Sequence, residues 1–318
     1  RYFARNPMVA LPAPRHDVSV DPGAAPVYPL SPTLARFNDL HMANRFTSAC
    51  SPMILRSQLL GADLAGNSFV CEPVHNLVHR EIVSRDGASW TSRRPDGERR
   101  SEFLASDDPW FRPVMARTGT DGALWIADMY RLVIEHPEWI PEDRQRELAL
   151  RSGSDRGRIY RIVPRDRSPR VPRIDHLSAA ECVALLESDS GPLRDLAQQR
   201  LIWEKSVTVA PQLERLAGGS QLATARLHAL MTLQALDRLG DPVLIAALAD
   251  EHLEVRRWGL RLVETRLLAD ADAAESRTSA LLEALAARVD IETEPVVLVQ
   301  LAATLGCSTS ETAIDALV

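Results

Sequence analysis

Gly66-Asn67-Ser68-Phe69-Val70-Cys71-Glu72 and Asp121-Gly122-Ala123-Leu124-Trp125-Ile126-Ala127-Asp128 follow one scheme: a glycine turn, a short β-prone run and a terminal acid. A second strand follows each, Asn76-Leu77-Val78-His79-Arg80 after the first and Gly157-Arg158-Ile159-Tyr160-Arg161 after the second. Short runs bounded by turn signals predict antiparallel strands. A recurring unit of turn, inner strand, loop and outer strand is the pattern of a propeller blade. Arg112 to Thr118 predicts one more strand, and Asp121-Gly122 turns it because both residues tolerate positive φ. The second copy carries a longer insertion. Within it, Pro141 to Leu150 predicts a helix, with proline first, acids in the first turn and Gly153 just past the end.

Outward from these copies the character of the chain changes. Residues 1–45 hold Pro7, Pro12, Pro14, Pro22, Pro26, Pro29 and Pro32 and predict an extended segment that packs on the sheets. Residues 46–163 predict β structure. Residues 164–175, with Pro164, Arg165, Arg167, Pro169, Arg170, Pro172 and Arg173, predict a stiff basic linker. From residue 176 the period is helical. Leu193-Arg194-Asp195-Leu196-Ala197, Ala223 to Leu230 and Glu254 to Leu260 have similar form at a spacing of about 30 residues, near that of helix-pair repeats. A fourth copy starts at Pro295, and Asp241-Pro242 supplies a cap and first-turn proline for an inner helix. Such pairs bury an apolar face only by stacking, so residues 176–318 predict an α-solenoid, here stopping in mid-array. About two blades do not close a ring, so the remaining blades are expected upstream of Arg1.

Composition narrows the function classes. With 318 residues, two domains are the natural prior, and 45% hydrophobic against 25% charged residues suffices for ordinary packed cores. A net charge of −6 gives no support for nucleic-acid binding, which wants a basic face. No run of about 18 apolar residues offers a membrane span. The 4 cysteines form neither a Cys-x-x-Cys-His haem attachment nor paired zinc spacing.

Three segments carry a likeness: Ser68 to Arg80, Ser101-Glu102-Phe103-Leu104-Ala105-Ser106, and Trp110 through Asp128-Met129-Tyr130 to Trp139-Ile140-Pro141. They resemble a bacterial family described as membrane-bound dehydrogenases. That family has a glucose/sorbosone-dehydrogenase-like six-bladed β-propeller, then HEAT repeats, and often a cytochrome c module. The likeness covers about residues 1–165; the helical part matches only in repeat type. It implies the last blades of a propeller joined to a HEAT-type solenoid, and a periplasmic quinoprotein oxidoreductase acting on a sugar or alcohol. It also implies pyrroloquinoline quinone and calcium as cofactors of the full-length protein, with haem c only where a cytochrome module follows. The catalytic base lies in an early blade of the relatives and has no counterpart here. Arg112 and Arg117 match the positions where relatives carry arginines near the quinone carboxylates, a job suited to a planar bidentate fork.

Each candidate has a structural alternative. Arg112 and Arg117 either bind an anionic cofactor or form salt bridges between blades; five residues apart, they lie on opposite faces of an undistorted strand. Glu72 and Asp128 end equivalent inner strands, where they either hold a cation or substrate proton or cap a turn. His75 and His79 share a strand face at about 13 Å between α-carbons, too far for one metal unless the loop at Asn76 folds them together. His136 beside Glu135 opens the insertion as a further ligand candidate. Cys50 and Cys71 fall in neighbouring strands, either as a disulfide closing a loop of about 20 residues and worth roughly 3 kcal/mol, or as two buried thiols. Cys182, Cys307 and Trp258 predict helix packing. Two functions stay open: a periplasmic sugar or alcohol dehydrogenase, and a non-catalytic propeller–HEAT scaffold binding carbohydrate or a protein partner.

Overall fold

A computed structural model describes residues 17–21, 25–32, 43–269, 278–308 and 310–316. Antiparallel sheets come first and helices follow. In the first sheet β1 (Cys50–Ile54), β2 (Ser68–Glu72), β3 (Leu77–Asp86) and β4 (Ser89–Arg93) run in order, with β5 (Leu104–Ala105) also on β3. In the second, β6 (Pro113–Thr118), β7 (Leu124–Asp128) and β8 (Arg158–Ile162) run in order.

The two sheets obey one plan in detail. Gly66 and Gly122 both sit at φ +81°, where only glycine is unstrained, and each launches the inner strand. Cys50 faces Cys71 as Met115 faces Ala127, and Ile54 faces Ser68 as Thr118 faces Leu124. Both leading strands carry a register shift, between Cys50 and Met53 and between Pro113 and Met115. An extra residue bends a strand without breaking the ladder. At the first shift Ser51 adopts φ +52°, and its Oγ receives the Ala116 amide at 3.0 Å, tying β1 to β6.

Stacking between the sheets is head to tail. Phe69 and Cys71 face the second sheet, where Ala116, Leu124 and Ile126 meet them in one core with Leu55, Val78 and Phe111. The positions equivalent to Phe69 and Cys71 are Trp125 and Ala127. These turn to the opposite face of the second sheet, where Met115 and Ile159 stand exposed. The other face of the first sheet is covered by the proline-bearing segment. The Val20 amide donates to the Ser92 carbonyl and the Ser92 amide to the Val18 carbonyl, while within the segment the Val27 amide donates to Asn44 and the Phe46 amide to Ala25. Pro7, Pro12, Pro14 and Pro22 lie outside the described residues.

The insertion forms a short helix, α1 (Glu142–Glu147), with Pro141 just before it. It ends earlier than the predicted Leu150. The β3–β4 hairpin, turned at Asp86-Gly87, carries the predicted Asn76–Arg80 strand on to Asp86 and adds β4.

Residues 176–316 supply α2 (Ala179–Leu185), α3 (Gly191–Trp203), α4 (Ala210–Gly219), α5 (Ala223–Ala235), α6 (Asp241–Leu248), α7 (Leu253–Ala269), α8 (Thr278–Val289), α9 (Pro295–Leu305) and α10 (Glu311–Asp315). Neighbours pack as antiparallel pairs, α2 on α3, α4 on α5, α6 on α7 and α8 on α9. Pairs stack in two layers, α3-α5-α7-α9 and α4-α6-α8-α10. One continuous core from Cys182 to Ala313 fills the space between, so no pair buries its apolar face alone. Asp241 is the first helical residue rather than the cap; Gly240 precedes it, and the Asp241 carboxylate pairs with Arg266.

Sheets and helices meet at Arg56. Its amide donates to Thr118 Oγ1, its carbonyl accepts the Gly191 amide at 2.7 Å, and its guanidinium grips Asp195 in two bonds of 2.6 and 2.8 Å. Nearby, Ser190 Oγ donates to the Thr120 carbonyl. A second tie joins Arg85 to Glu254. Gly191 is required by this approach: a Cβ there would stand 2.7 Å from Arg56 Cβ and 3.0 Å from its carbonyl oxygen. Gly191→Ala is therefore expected to lower stability by roughly 1–3 kcal/mol, the usual range for overpacking, in urea unfolding. A change below about 0.5 kcal/mol would show that the joint is loose.

Candidate functional site

The ionisable residues of the first sheet converge on the seam beneath the 17–48 segment. Glu72 ends β2, and its Oε2 accepts the amides of Thr47 at 3.1 Å and Ser48 at 2.9 Å. Its Oε1 lies 3.4 Å from His75 Nδ1, while His75 Nε2 accepts the Asn44 amide at 3.0 Å. One ring nitrogen accepting from an amide leaves the other as the donor to Glu72. Asn76, at φ +58°, makes the tight turn that brings His75 back to Glu72. Its carboxamide accepts from Ser31 Oγ and donates to the Pro109 and Phe111 carbonyls.

His79, in β3 opposite Val70, lies between two carboxylates. Nδ1 is 2.8 Å from Glu102 Oε2 and Nε2 is 3.5 Å from Glu81 Oε1, while the Phe46 ring packs edge-on at 5.1 Å. Glu102 also accepts from the Tyr28 amide and from Arg94, and Glu81 from the Ser19 and Ser92 hydroxyls. Burial works against the charged imidazolium, but the hydrogen bonds to Glu102 and Glu81 outweigh it and raise the pKa of His79. Burial likewise opposes the Glu81 carboxylate, but bonds from His79, Ser92 and Ser19 hold it down at about 2. Glu102 is lowered in the same way, with His79 and Arg94 overcoming its burial. Beside this cluster, Tyr28, Asn44, Arg100 and Glu102 line an open hollow of about 690 Å³.

Asp128 repeats the role of Glu72 in the second sheet. Its Oδ1 accepts the amides of Arg112 at 2.8 Å and Tyr130 at 2.7 Å. Arg112 itself is 4% exposed, and its guanidinium donates to four main-chain carbonyls: Arg131, Pro73, Val74 and Leu132.

These positions correct several expectations. Arg112 does not offer a free fork to a quinone carboxylate, because Nε, Nη1 and Nη2 all already donate to main-chain carbonyls. Arg117 is exposed, on the other side of the strand, and donates to Ser51 Oγ and the Ala116 carbonyl. The pair therefore forms no joint anion site for a quinone. His75 and His79 take different partners rather than one ligand. His136 stands at the surface, 69% exposed in its side chain, accepting the Glu138 amide. Among the described residues no group of three or more His, Cys, Asp or Glu is arranged to hold a metal ion. Cys50 and Cys71 do face each other across β1 and β2, and they form no disulfide. Burial, reinforced by Cys50 and opposed by Arg117, pushes the Cys71 thiol up to about 12, far from a reactive thiolate. Glu81, Glu102 and Arg94 complete the seam without having stood out in the sequence.

Among the described residues no helix is long and apolar enough to cross a membrane. No curated protein and no solved structure matches the chain. A family model does match, over residues 1–166, the sheet region with its inserted α1 but not the helix pairs. That match spans just over half of the sequence, and the chain belongs to the family described as Domain of unknown function (DUF7133).

Proposed function

We propose that this chain is a binding scaffold, in which the two sheets are consecutive blades of a β-propeller and the helix pairs are a HEAT-type array that holds a protein partner. One observation carries the choice of scaffold over dehydrogenase. The side chains best equipped for chemistry are committed to bracing the main chain. Glu72, His75, Asn76, Glu81 and Glu102 all bond to the overlying 17–48 segment, and Arg112 is bonded to four carbonyls. A general base or cofactor ligand needs a lone pair or donor left for the reactant. What supports the propeller reading is the head-to-tail stacking. A heterologous contact between like units generates rings when its rotation closes, and the face bearing Met115, Trp125 and Ile159 is apolar enough to receive another sheet. The array reading is supported by the two-layered stacking of helix pairs.

The dehydrogenase reading rests on the resemblance. The full-length protein, incubated with pyrroloquinoline quinone and calcium and given a sugar panel with a redox dye, is expected to show no cofactor-dependent dye reduction. Reduction that falls in the Arg117→Ala variant, an exposed position whose loss leaves the core intact, would replace the scaffold by an enzyme.

A further inference from the structure

The helix pairs are linked by a repeated arginine device. Arg194, Arg226 and Arg256 each donate from Nη1 to the carbonyl six residues earlier, on Ser188, Ser220 and Asp250. Each of those residues caps the amide two positions on, and Glu292 does the same in the last pair. Arg226 then grips Asp250 of the next pair in two bonds of 2.7 Å, and Arg256 grips Glu292 in two of 2.8 Å. By this rule Arg194 would grip residue 220, where a serine stands whose hydroxyl donates instead to Glu187. Arg194 Nε is buried without a hydrogen-bond partner. The first rung therefore lacks its carboxylate, and this is the rung on which the sheets sit.

His228, on α5, faces that gap. Its Nδ1 lies 3.0 Å from Gln198 Oε1, and its Nε2 lies 3.8 Å from Asp195 Oδ1, the carboxylate held by Arg56. The charges acting on it are Arg194 and Asp195 of α3 and Arg56 of the β1–β2 connection: two cations against one anion, and that anion already paired. We propose that His228 is a proton-controlled latch: neutral, it lets the helical array dock on the sheets through Arg56–Asp195, and protonated, it weakens that joint. This holds whether or not the scaffold reading does.

The sign follows from the surroundings. Burial first, and then Arg194, depress the His228 pKa to about 4 in the docked state. An unperturbed histidine titrates near 6.5. The docked form thus binds fewer protons, so its advantage is complete above about pH 6.5 and is lost as pH falls from there toward 4. Arg194 stays beside the ring when the joint opens and only Arg56 departs, so the joint should open roughly 3-fold more often at pH 5.0 than at pH 7.5. Asp195, pulled below its ordinary range by Arg56 in spite of burial, stays ionised there.

Amide hydrogen exchange on the chain at the two pH values, corrected for intrinsic rates, tests this. Peptides spanning 55–60 and 188–200 are expected to lose roughly 3-fold in protection at pH 5.0, while α7 and α9 hold theirs. His228→Asn, which keeps a neutral hydrogen-bonding group, is expected to abolish the loss. Ser220→Asp, which supplies the missing rung, is expected to shrink it. Unchanged protection in the wild type, equal loss in His228→Asn, no effect of Ser220→Asp, or loss spread evenly through α7 and α9 would overturn the latch.

Discussion

Replacing Arg112 by alanine is expected to destabilise the sheet region by about 4 kcal/mol, the largest effect of any single side chain in the seam. Each buried polar group left without a partner costs roughly 1–3 kcal/mol, and this guanidinium serves four carbonyls from two separate loops. Pro73 and Val74 follow β2, and Arg131 and Leu132 follow β7, so the side chain ties equivalent corners of the two sheets. Desolvation lowers its pKa, with Glu135 and Asp128 opposing, as befits a cation held by dipoles rather than by one anion. Lysine carries the charge on a single nitrogen and cannot span two loops with a planar fork, so Arg112→Lys should recover less than half of the loss. Urea unfolding followed by tryptophan fluorescence would measure both. A loss under about 1.5 kcal/mol for the alanine variant would mean that water replaces the guanidinium easily.

Glu292→Ala should remove about 3–5 kcal/mol from the helical region. Its side chain is fully buried and accepts from Arg256 twice, from Arg288, and from the Thr293 and Glu294 amides. Removing one partner of a buried pair leaves the other charge uncompensated, which is where the cost arises. Burial alone would raise the pKa of this carboxylate, but the bonds from Arg256, the Glu294 amide and Arg288 hold it at about 2. Its contribution is therefore present above about pH 4.5 and fades as pH falls toward 2. Wild-type melting temperature should drop through that window, and the drop should shrink in Glu292→Ala. An equal acid slope in both proteins would assign the acid sensitivity to other groups.

The sheets and helices were largely legible because their signals are local. Gly66 and Gly122 mark a conformation that other residues avoid, and the strands after them alternate as the face-to-face core requires. Pro295 opens α9 as its position in the sequence suggests. The Asp86-Gly87 pair carried the same turn signal for β4 as Asp121-Gly122 did for β7, but Ser89 to Arg93 is too polar to resemble a strand. The site was legible only in its parts. Glu72, His75, His79, Asp128 and Arg112 were identifiable as buried chemistry, but apart from His79, which meets the Glu81 and Glu102 side chains, their partners are main-chain groups up to 39 residues away. Main-chain donors leave no trace in residue type. The Arg56–Asp195 joint is a pair of charged side chains, hidden instead by its separation of 139 residues. The arginine device was visible in principle, since Arg194, Arg226 and Arg256 recur at intervals of 32 and 30 residues; its meaning needed the carbonyl six residues earlier.

That device also shapes how the array yields to tension. Arg226 and Arg256 each clasp their own loop and the next pair, so peeling away one pair of helices strips bonds from its neighbour as well. A chain drawn out from its C-terminal end would give way pair by pair, holding hardest at Glu292 and Asp250. Resistance would be least at the bare rung beside Arg56, where the last pair parts from the sheets.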